Sequence, residues 1–552
     1  MPKSVIQGLY RRLEVWLERR ILEVFKLSES LDIAFERPKE GFGDLATPVA
    51  FQLARLLRMP PIEIAKMLEA QAVDLPQGFS ALRAAPPGYL NAEFDPEFLK
   101  NALVEVLEHP ELFGRFDDGS GKRAQVEFVS ANPTGPLTVG HGRQAVLGSS
   151  IANLLEALGF EVTREYYYND AGRQMRVLGE SIRARYLELL GEPASFPEDG
   201  YQGDYIREIA RQIFEDFADR LKTEVSHEPF QKYGERVIFE DIQRTLQRLD
   251  IRFDVFFGEH TLYEDGSIER VLERLNSLGL LYEKDGALWF EAKAFGQPKD
   301  RVFRKASGEY TYRLPDIAYH VQKLGRGFDL IVDVLGADHH LSSQDVLTTI
   351  KVLGQDVSRI RIVLHQFVTL VRGGERVKVS TRKATYVTLD ELIDMVGKDA
   401  CRFFFLLRKA DTHLDFDIDL ARKQGEENPV YYVQYAHARI CSVFEVAKNR
   451  GVALPNPGIE ALQTLSEAEL PLLKAIFWLE HTLREAAREL EPHRMVYALM
   501  DIAGLFHSFY NHNRILESPE EIRGMRLLLV QGLGVALRRG LSLLNVTAPE
   551  KM

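Results

Sequence analysis

Apolar residues recur at distinct spacings along this chain, and the spacings divide it. Ile6, Leu9, Leu13, Trp16 and Leu17 form one helical stripe near the start. Phe42-Gly43-Asp44-Leu45-Ala46-Thr47 leads into a second helix through Leu57, and Pro60-Pro61 starts a third. Tyr89-Leu90-Asn91-Ala92-Glu93-Phe94 alternates in the manner of an edge strand. Val126, Phe128 and Val129 then give a short buried strand. In Asn132-Pro133-Thr134-Gly135-Pro136 two prolines lack an N–H and a glycine frees φ, so neither helix nor strand continues. Val139, Val146, Leu147, Ile151, Leu154, Leu155 and Leu158 recur at helical spacing, and Gly159 stands where a C′ glycine belongs. Val162 and Tyr166 to Tyr168 give the next strand, Asn169-Asp170-Ala171-Gly172 a turn, and Arg173 and Gln174 open another helix.

From about 179 to 300 the pattern is helical and charged, with strands at 253–257, at Ala287-Leu288-Trp289-Phe290 and after Arg301. This stretch is expected to be inserted between two halves of a nucleotide fold. Residues 328–335, mostly apolar, read as a buried parallel strand, and 361–368 form another. Beyond Asp390 the chain is expected to be helical to the end, with apolar stripes at 470–490, 495–516 and 522–544. Leu414-Asp415-Phe416-Asp417-Ile418-Asp419-Leu420 alternates, but it lacks the glycine and terminal glutamate of a calcium loop. The expected architecture is an α/β, Rossmann-like central domain (109–425, insertion around 179–300). An N-terminal α/β domain (1–108) precedes it and an all-α helix bundle (426–552) follows.

Composition narrows the class. The chain has 552 residues, 45% hydrophobic and 27% charged, which fits a soluble globular protein of roughly three or four domains. No apolar run reaches the ~20 residues needed to cross a bilayer, so no membrane span is expected. The first helix mixes arginine, glutamate and apolar residues, unlike a signal peptide. Cys401 and Cys441, far apart, point to a reducing, cytoplasmic compartment and supply no zinc cluster. The net charge of −12 weighs against a nucleic-acid partner as a total, yet leaves room for a local basic face.

The candidate chemistry gathers at strand ends. The helix after Pro136 points its N-terminus at the carboxyl edge of the sheet, where backbone N–H groups and the helix dipole favour a phosphate. Gly140 leaves room for a flat ligand, and His141 adds a donor in the first turn. Gly336-Ala337-Asp338-His339-His340 follows the 328–335 strand and falls near the same crevice. Its Asp and His donors suit a metal, but further ligands at suitable spacing are missing, so no metal site is assigned.

Ser130-Ala131-Asn132-Pro133-Thr134-Gly135-Pro136-Leu137-Thr138-Val139-Gly140-His141 resembles the first signature of class I aminoacyl-tRNA synthetases, and the arginyl family in particular. Thr138 stands where the signature has its first histidine; it can donate one hydrogen bond but carries no charge. Lys378-Val379-Ser380-Thr381-Arg382-Lys383-Ala384-Thr385 resembles the second signature, with Thr381 in place of its second lysine. Some arginyl enzymes with a degenerate second signature carry a lysine just before the first; Gly135 occupies that place here. Asn169-Asp170-Ala171-Gly172 with Gln174 resembles a further family loop. The run Asn428-Pro429-Val430-Tyr431-Tyr432-Val433-Gln434-Tyr435-Ala436-His437-Ala438-Arg439 resembles the opening of the family's last domain.

The resemblance covers essentially the whole length. It implies a class I synthetase catalytic domain that joins L-arginine to tRNA(Arg) through arginyl-adenylate. ATP would be consumed, Mg²⁺ would come with the nucleotide, activation would need bound tRNA, and the chain is expected to act as a monomer. His141, Thr138, Lys378, Arg382 and Lys383 would be catalytic, the cations stabilising charge that builds on pyrophosphate. Gly140, His141, Gly336, Asp338, His339, Lys378 and Ser380 would serve ATP. Tyr312 and Asp316 match the positions that hold the guanidinium, Glu127 is a second candidate carboxylate, and Ser130 and Asn132 match positions around the amino and carboxyl ends of arginine. A planar, permanently charged fork of donors requires a carboxylate for bidentate pairing. On the tRNA, Tyr89 and Asn91 would read a base at the elbow. Tyr435, Arg439, Tyr510, His512, Asn513, Arg514 and Met552 would meet the anticodon side. Two rival readings remain: a class I synthetase of other amino-acid specificity, and a catalytically silent tRNA-binding paralogue, for which Thr138 and Thr381 speak.

Overall fold

The computed structural model describes residues 8–27, 31, 33–39, 41–170, 172–377 and 387–552. The first domain comprises α1 (Leu9–Phe25), β1 (Leu45–Thr47), α2 (Val49–Leu57), α3 (Pro61–Glu69), β2 (Phe79–Ala85), β3 (Tyr89–Phe94) and α4 (Pro96–Glu108). Leu9, Leu13 and Leu17 are buried, as their stripe requires; Ile6 lies outside the described residues. β3 is not an edge strand. It is the middle of the sheet β1-β3-β2, antiparallel to both neighbours. Its alternating letters mislead because one of its two polar residues, Asn91, is buried between Leu90 and Ala92 instead of facing water, while Glu93 is half-buried. This domain docks on the C-terminal bundle. The Tyr10 hydroxyl donates to the Phe477 carbonyl (3.1 Å), the Tyr10 ring stacks on His481 with centroids 4.0 Å apart, and Lys474 pairs with Asp44 at 2.6 Å.

The central domain begins with β4 (Arg123–Glu127), α5 (Val139–Ala157), β5 (Glu161–Tyr168), α6 (Gly172–Leu189), α7 (Asp204–Phe217), α8 (Glu228–Arg248) and β6 (Val255–Gly258). It continues with α9 (His260–Glu264), α10 (Ser267–Ser277), β7 (Leu281–Lys284), β8 (Ala287–Phe290), β9 (Arg301–Arg304) and α11 (Arg313–Gly325). Then come β10 (Leu330–Gly336), α12 (His340–Val352), β11 (Ile360–His365), β12 (Val368–Arg372) and β13 (Glu375–Arg376). Five strands pair in parallel in the order β11-β10-β4-β5-β6. The winding reverses between β4 and β10, and an open α/β sheet holds its ligand at the carboxyl ends of such strands.

Several sequence expectations change here. β6 lies inside the stretch expected to be inserted, yet it is the fifth strand of the central sheet; β7, β8 and β9 form a separate antiparallel sheet. β4 stops at Glu127, because Val129 (φ 69°) and Ser130 (φ 43°) take left-handed conformations that turn the chain out of the sheet. Phe128 instead packs on Phe253, with ring centroids 4.4 Å apart. The 361–368 strand breaks at Gln366-Phe367 into β11 and β12. After β9, Arg304 and Tyr310 form an isolated bridge, and Tyr312 is the N-cap of α11.

Helix α5 is buried nearly all round. Gly148 permits this, since a Cβ there would meet the Phe128 ring at 2.2 Å. At its end Gly159 takes φ +92°, while the Phe160 N–H returns to the Leu155 carbonyl at 3.1 Å. Truncating Ile151 or Leu154 to alanine would cost about 2–5 kcal/mol.

The remainder comprises α13 (Leu389–Val396), α14 (Lys398–Phe405), β14 (Leu414–Asp417), α15 (Ile418–Arg422), α16 (Pro429–Asn449), α17 (Leu470–Arg488), α18 (His493–His512) and α19 (Glu520–Leu543). The stretch beyond Asp390 is therefore not wholly helical. β14 adds to β12 in parallel with Leu414 and Phe416 buried, and Asp417 caps α15 by accepting the Leu420 N–H at 3.0 Å. Among the described residues, no helix is long and apolar enough to cross a membrane.

Candidate active site

A cavity of about 1080 Å³ opens at the carboxyl ends of β4, β10 and β11, beside the first turn of α5. Glu127, Ser130, Asn132, Thr138, Gly140, His141, Tyr312, Asp316, Gly336, Asp338 and His339 all line it. Lys378, Ser380, Thr381, Arg382 and Lys383 lie outside the described residues, but Arg376, Val377 and Val387, which flank them in the chain, line the same cavity. Thr138 and Thr388 form an isolated bridge, and the Leu389 N–H donates to the Leu137 carbonyl at 2.8 Å. The chain on the far side of residues 378–386 is thus sewn to the first loop.

One end of the cavity presents helix N–H groups and histidines. Thr138 is the N-cap of α5, and its backbone N–H donates to His141 Nδ1 at 3.1 Å. Nδ1 therefore holds a lone pair, and the ring proton sits on Nε2. Burial lowers the His141 pKa, so at neutral pH the ring is a neutral donor through Nε2. Thr138 thereby orients the histidine it cannot replace. A Cβ on Gly140 would meet nothing closer than Thr138 Oγ1 at 3.7 Å, so the protein itself leaves that space open. His365, at the end of β11, is held neutral by burial and by the neighbouring Arg143, with its pKa near 4.

The other end is acidic. Asp316 sits in the first turn of α11, and burial pushes its pKa up to about 7, with Glu259 and Glu127 adding to the rise. Glu259, just beyond β6, accepts from the Tyr167 hydroxyl at 2.6 Å and from Tyr263 at 3.3 Å, and burial raises its pKa too. Among the described residues neither carboxylate forms an ion pair. Glu127 does: it pairs with the fully buried Lys323, which also meets Asp333 at 2.6 Å, and it accepts from Ser130 Oγ at 2.9 Å. Burial pulls the Lys323 ammonium down, Asp333 and Glu127 outweigh it, and its pKa settles at about 12. His320 bridges the Asp316 carbonyl (2.7 Å) and Asp333 (2.9 Å). Asn132 donates to Gln174 at 2.9 Å and accepts the Asn169 N–H at 3.2 Å. Tyr312 is 58% exposed at the rim, with the Arg313 guanidinium 4.8 Å above its ring.

Glu259, Tyr167, Lys323, His320 and Asp333 were not singled out from the sequence. Glu259 carried a usable signal, since placing 253–257 in the central sheet would have set it at a strand end, where the ligand crevice lies.

The sequence matches three family models in order: Arginyl tRNA synthetase N terminal domain over 12–94, tRNA synthetases class I (R), catalytic domain over 103–406, and DALR anticodon binding domain over 433–552. It is 50% identical over 520 residues to an arginine–tRNA ligase of Desulfotalea psychrophila, covering 94% of each chain. The chain belongs to the arginyl-tRNA synthetase family. An arginine–tRNA ligase of Salinibacter ruber is 46% identical over 97% of this chain and 98% of its own. A crystal structure described as an arginyl-tRNA synthetase of Campylobacter jejuni superposes with a TM-score of 0.76 at 32% identity, covering 83% of this chain and all of its own.

Two regions outside the cavity hold the other candidates. In the part matching the anticodon-binding model, Arg439 lies over the rings of Tyr435 (4.5 Å) and Tyr510 (4.9 Å) and donates to the Tyr435 hydroxyl at 2.9 Å. Arg514, His512 and Met552 are exposed, and Asn513 is half-buried. In the part matching the arginyl-tRNA synthetase N-terminal model, Tyr89 is half-buried against Phe51, with centroids 5.2 Å apart. Asn91 is buried, and its Oδ1 has no partner among the described residues.

Proposed function

We propose that this chain joins L-arginine to tRNA(Arg) in the cytoplasm, at the expense of ATP and through arginyl-adenylate. One observation carries the choice of arginine: the cavity holds two carboxylates, half-buried Asp316 and buried Glu259, with no ion pair among the described residues. Desolvated acids of this kind call for a cation with a fork of donors. The guanidinium would lie between Asp316 and Glu259, with Tyr312 closing the rim. Glu127 and Ser130 would accept from the amino end, and Asn132 would fix the carboxyl end.

In the first step an oxygen of the arginine carboxylate attacks the α-phosphorus of ATP in line. The new P–O bond forms as the α–β bridging bond breaks, and pyrophosphate leaves. No protein nucleophile is required, so catalysis rests on positioning and charge. The α5 N-terminus and the His141 Nε2–H would meet the phosphates at Gly140. Gly336, Asp338 and His339 would meet the ribose side, and Ser380, Lys378, Arg382 and Lys383 would cover the leaving pyrophosphate. Mg²⁺ would arrive on the nucleotide, held by its phosphate oxygens. In the second step a hydroxyl of the terminal ribose attacks the arginyl carbonyl, AMP departs, and the hydroxyl proton is lost to solvent. Tyr435, Arg439, Tyr510, Arg514 and Met552 would hold the anticodon side, and Tyr89 with Asn91 the elbow.

Pyrophosphate exchange dependent on arginine and tRNA, followed by tRNA charging, tests this reading. Exchange with a different amino acid would establish another specificity. Binding of tRNA with no exchange would establish a silent paralogue. Neither rival gains anything from the Desulfotalea psychrophila and Salinibacter ruber relatives, both arginine–tRNA ligases.

A further inference from the structure

Arg143 lies two residues after His141 on α5, on the opposite side of the helix, and is fully buried. It forms no ion pair among the described residues, although the charge of Asp411 reaches it, and its Nε has no hydrogen-bond partner there. Its donors reach three backbone carbonyls instead: Nη1 to Gln366 (2.8 Å) and Thr412 (2.9 Å), and Nη2 to Lys409 (3.0 Å). A buried guanidinium whose two Nη groups are both spent on main-chain carbonyls ties those segments of main chain together.

Both acceptor segments matter. Gln366 is the crossover between β11 and β12, and His365, Phe367 and Thr369 beside it form the cavity wall facing His141. Lys409 and Thr412 belong to the strap 406–413, which packs on that crossover: the Gln366 N–H donates to the Ala410 carbonyl at 2.9 Å. The strap is in turn held by the helical bundle. The Tyr497 hydroxyl of α18 donates to the Leu407 carbonyl (2.7 Å), and Lys409 pairs with Glu491 at 3.1 Å.

We propose that Arg143 is a positioning residue that seats the cavity wall 365–370 against the first turn of α5, and through which the bundle bears on that seat by way of the strap. The inference rests on the reading that this cavity takes ATP. A shift of about 1 Å in such a wall is enough to cost on the order of 10²-fold in rate.

The test uses the full chain and four proteins: wild type, Arg143→Lys, Tyr497→Phe and the double variant. Arg143→Lys keeps the charge and loses the fork; Tyr497→Phe removes one hydroxyl from a side chain at the surface. We expect Arg143→Lys to raise the ATP Kd in calorimetry, and the KM for ATP, about fivefold or more, and to lower kcat about tenfold. The KM for arginine and the Kd for tRNA should stay within about twofold of wild type. Tyr497→Phe should lower kcat about threefold, and much less in the Arg143→Lys background, since both act on one seat. Unchanged ATP binding in Arg143→Lys overturns the inference. So does an equal loss of affinity for ATP, arginine and tRNA, which marks general disruption, and so do losses that simply multiply in the double variant. A wild-type chain that binds ATP but charges no tRNA defeats the proposed function instead, and the ATP Kd of Arg143→Lys still decides the role of Arg143.

Discussion

Two pairs of carboxylates share the walls of one cavity and have opposite fates. Glu127 and Asp333 stand side by side on neighbouring strands β4 and β10, and Lys323 reaches both of them. Asp316 and Glu259 have no such partner among the described residues, and their pKa values are raised by burial. The first pair is complete as the protein stands, so its charge holds α11 on the sheet. The second pair is complete only when a cation enters. Within one acidic cluster, ion pairing separates the acids whose charge the protein itself meets, Glu127 among them although it also faces the amino end of arginine, from those left for the guanidinium.

The comparison breaks most visibly at Lys323. Lys323→Met leaves Glu127 and Asp333 buried without compensation and should destabilise the chain by about 3–5 kcal/mol, read as an earlier transition in denaturant unfolding. Unchanged stability would mean that the first pair does not hold the fold. Asp316→Ala should act in the other sense: nearly unchanged unfolding, with the KM for arginine raised on the order of 10²–10³-fold, about 3–4 kcal/mol. Equal effects on KM and on stability would erase the distinction between the pairs.

The pH profile sharpens it. With its pKa near 7, Asp316 is protonated at lower pH, whereas the guanidinium needs the carboxylate. Arginine binding should release a proton, and affinity should fall about tenfold per unit as pH drops below 7. For an acid whose folded pKa is raised, ionisation weakens the free fold above the unfolded value near 4, and bound arginine offsets that loss. Saturating arginine should therefore raise Tm more at pH 8 than at pH 6. The smallest effect is expected from Glu259→Gln, which keeps the shape and the acceptor oxygen for tyrosine; it should raise the KM for arginine about tenfold while leaving kcat nearly unchanged. An unaltered KM would remove Glu259 from the recognising pair.

The first signature loop, the helix behind it and Asp316 were legible in the letters because each carries a local mark: prolines and a glycine in a loop, a 3.6-residue stripe, an acid after a proline. The structural pair was not legible. On α11 the residues Asp316, Tyr319, His320 and Lys323 fall at helical spacing on one face, and a polar face reads as a solvated one. Here it is turned onto the charged ends of β4 and β10, and periodicity cannot tell water from a buried acid. β6 escaped for a different reason. Four residues after a long helical stretch gave no sign of which sheet they join, and Glu259 was lost with them. Left-handed Val129 and Ser130 leave no trace in composition at all, since glycine was expected at such a place.

The contact of Tyr10 with Phe477 and His481 has an architectural consequence. The front and back of the chain share a party wall that closes before the catalytic sheet is counted. A chain begun at residue 95 would bare the His481 ring and strip Lys474 of Asp44. Any chimera that exchanges the leading domain must therefore exchange the face of α17 with it, so that the two ends travel as one inheritance.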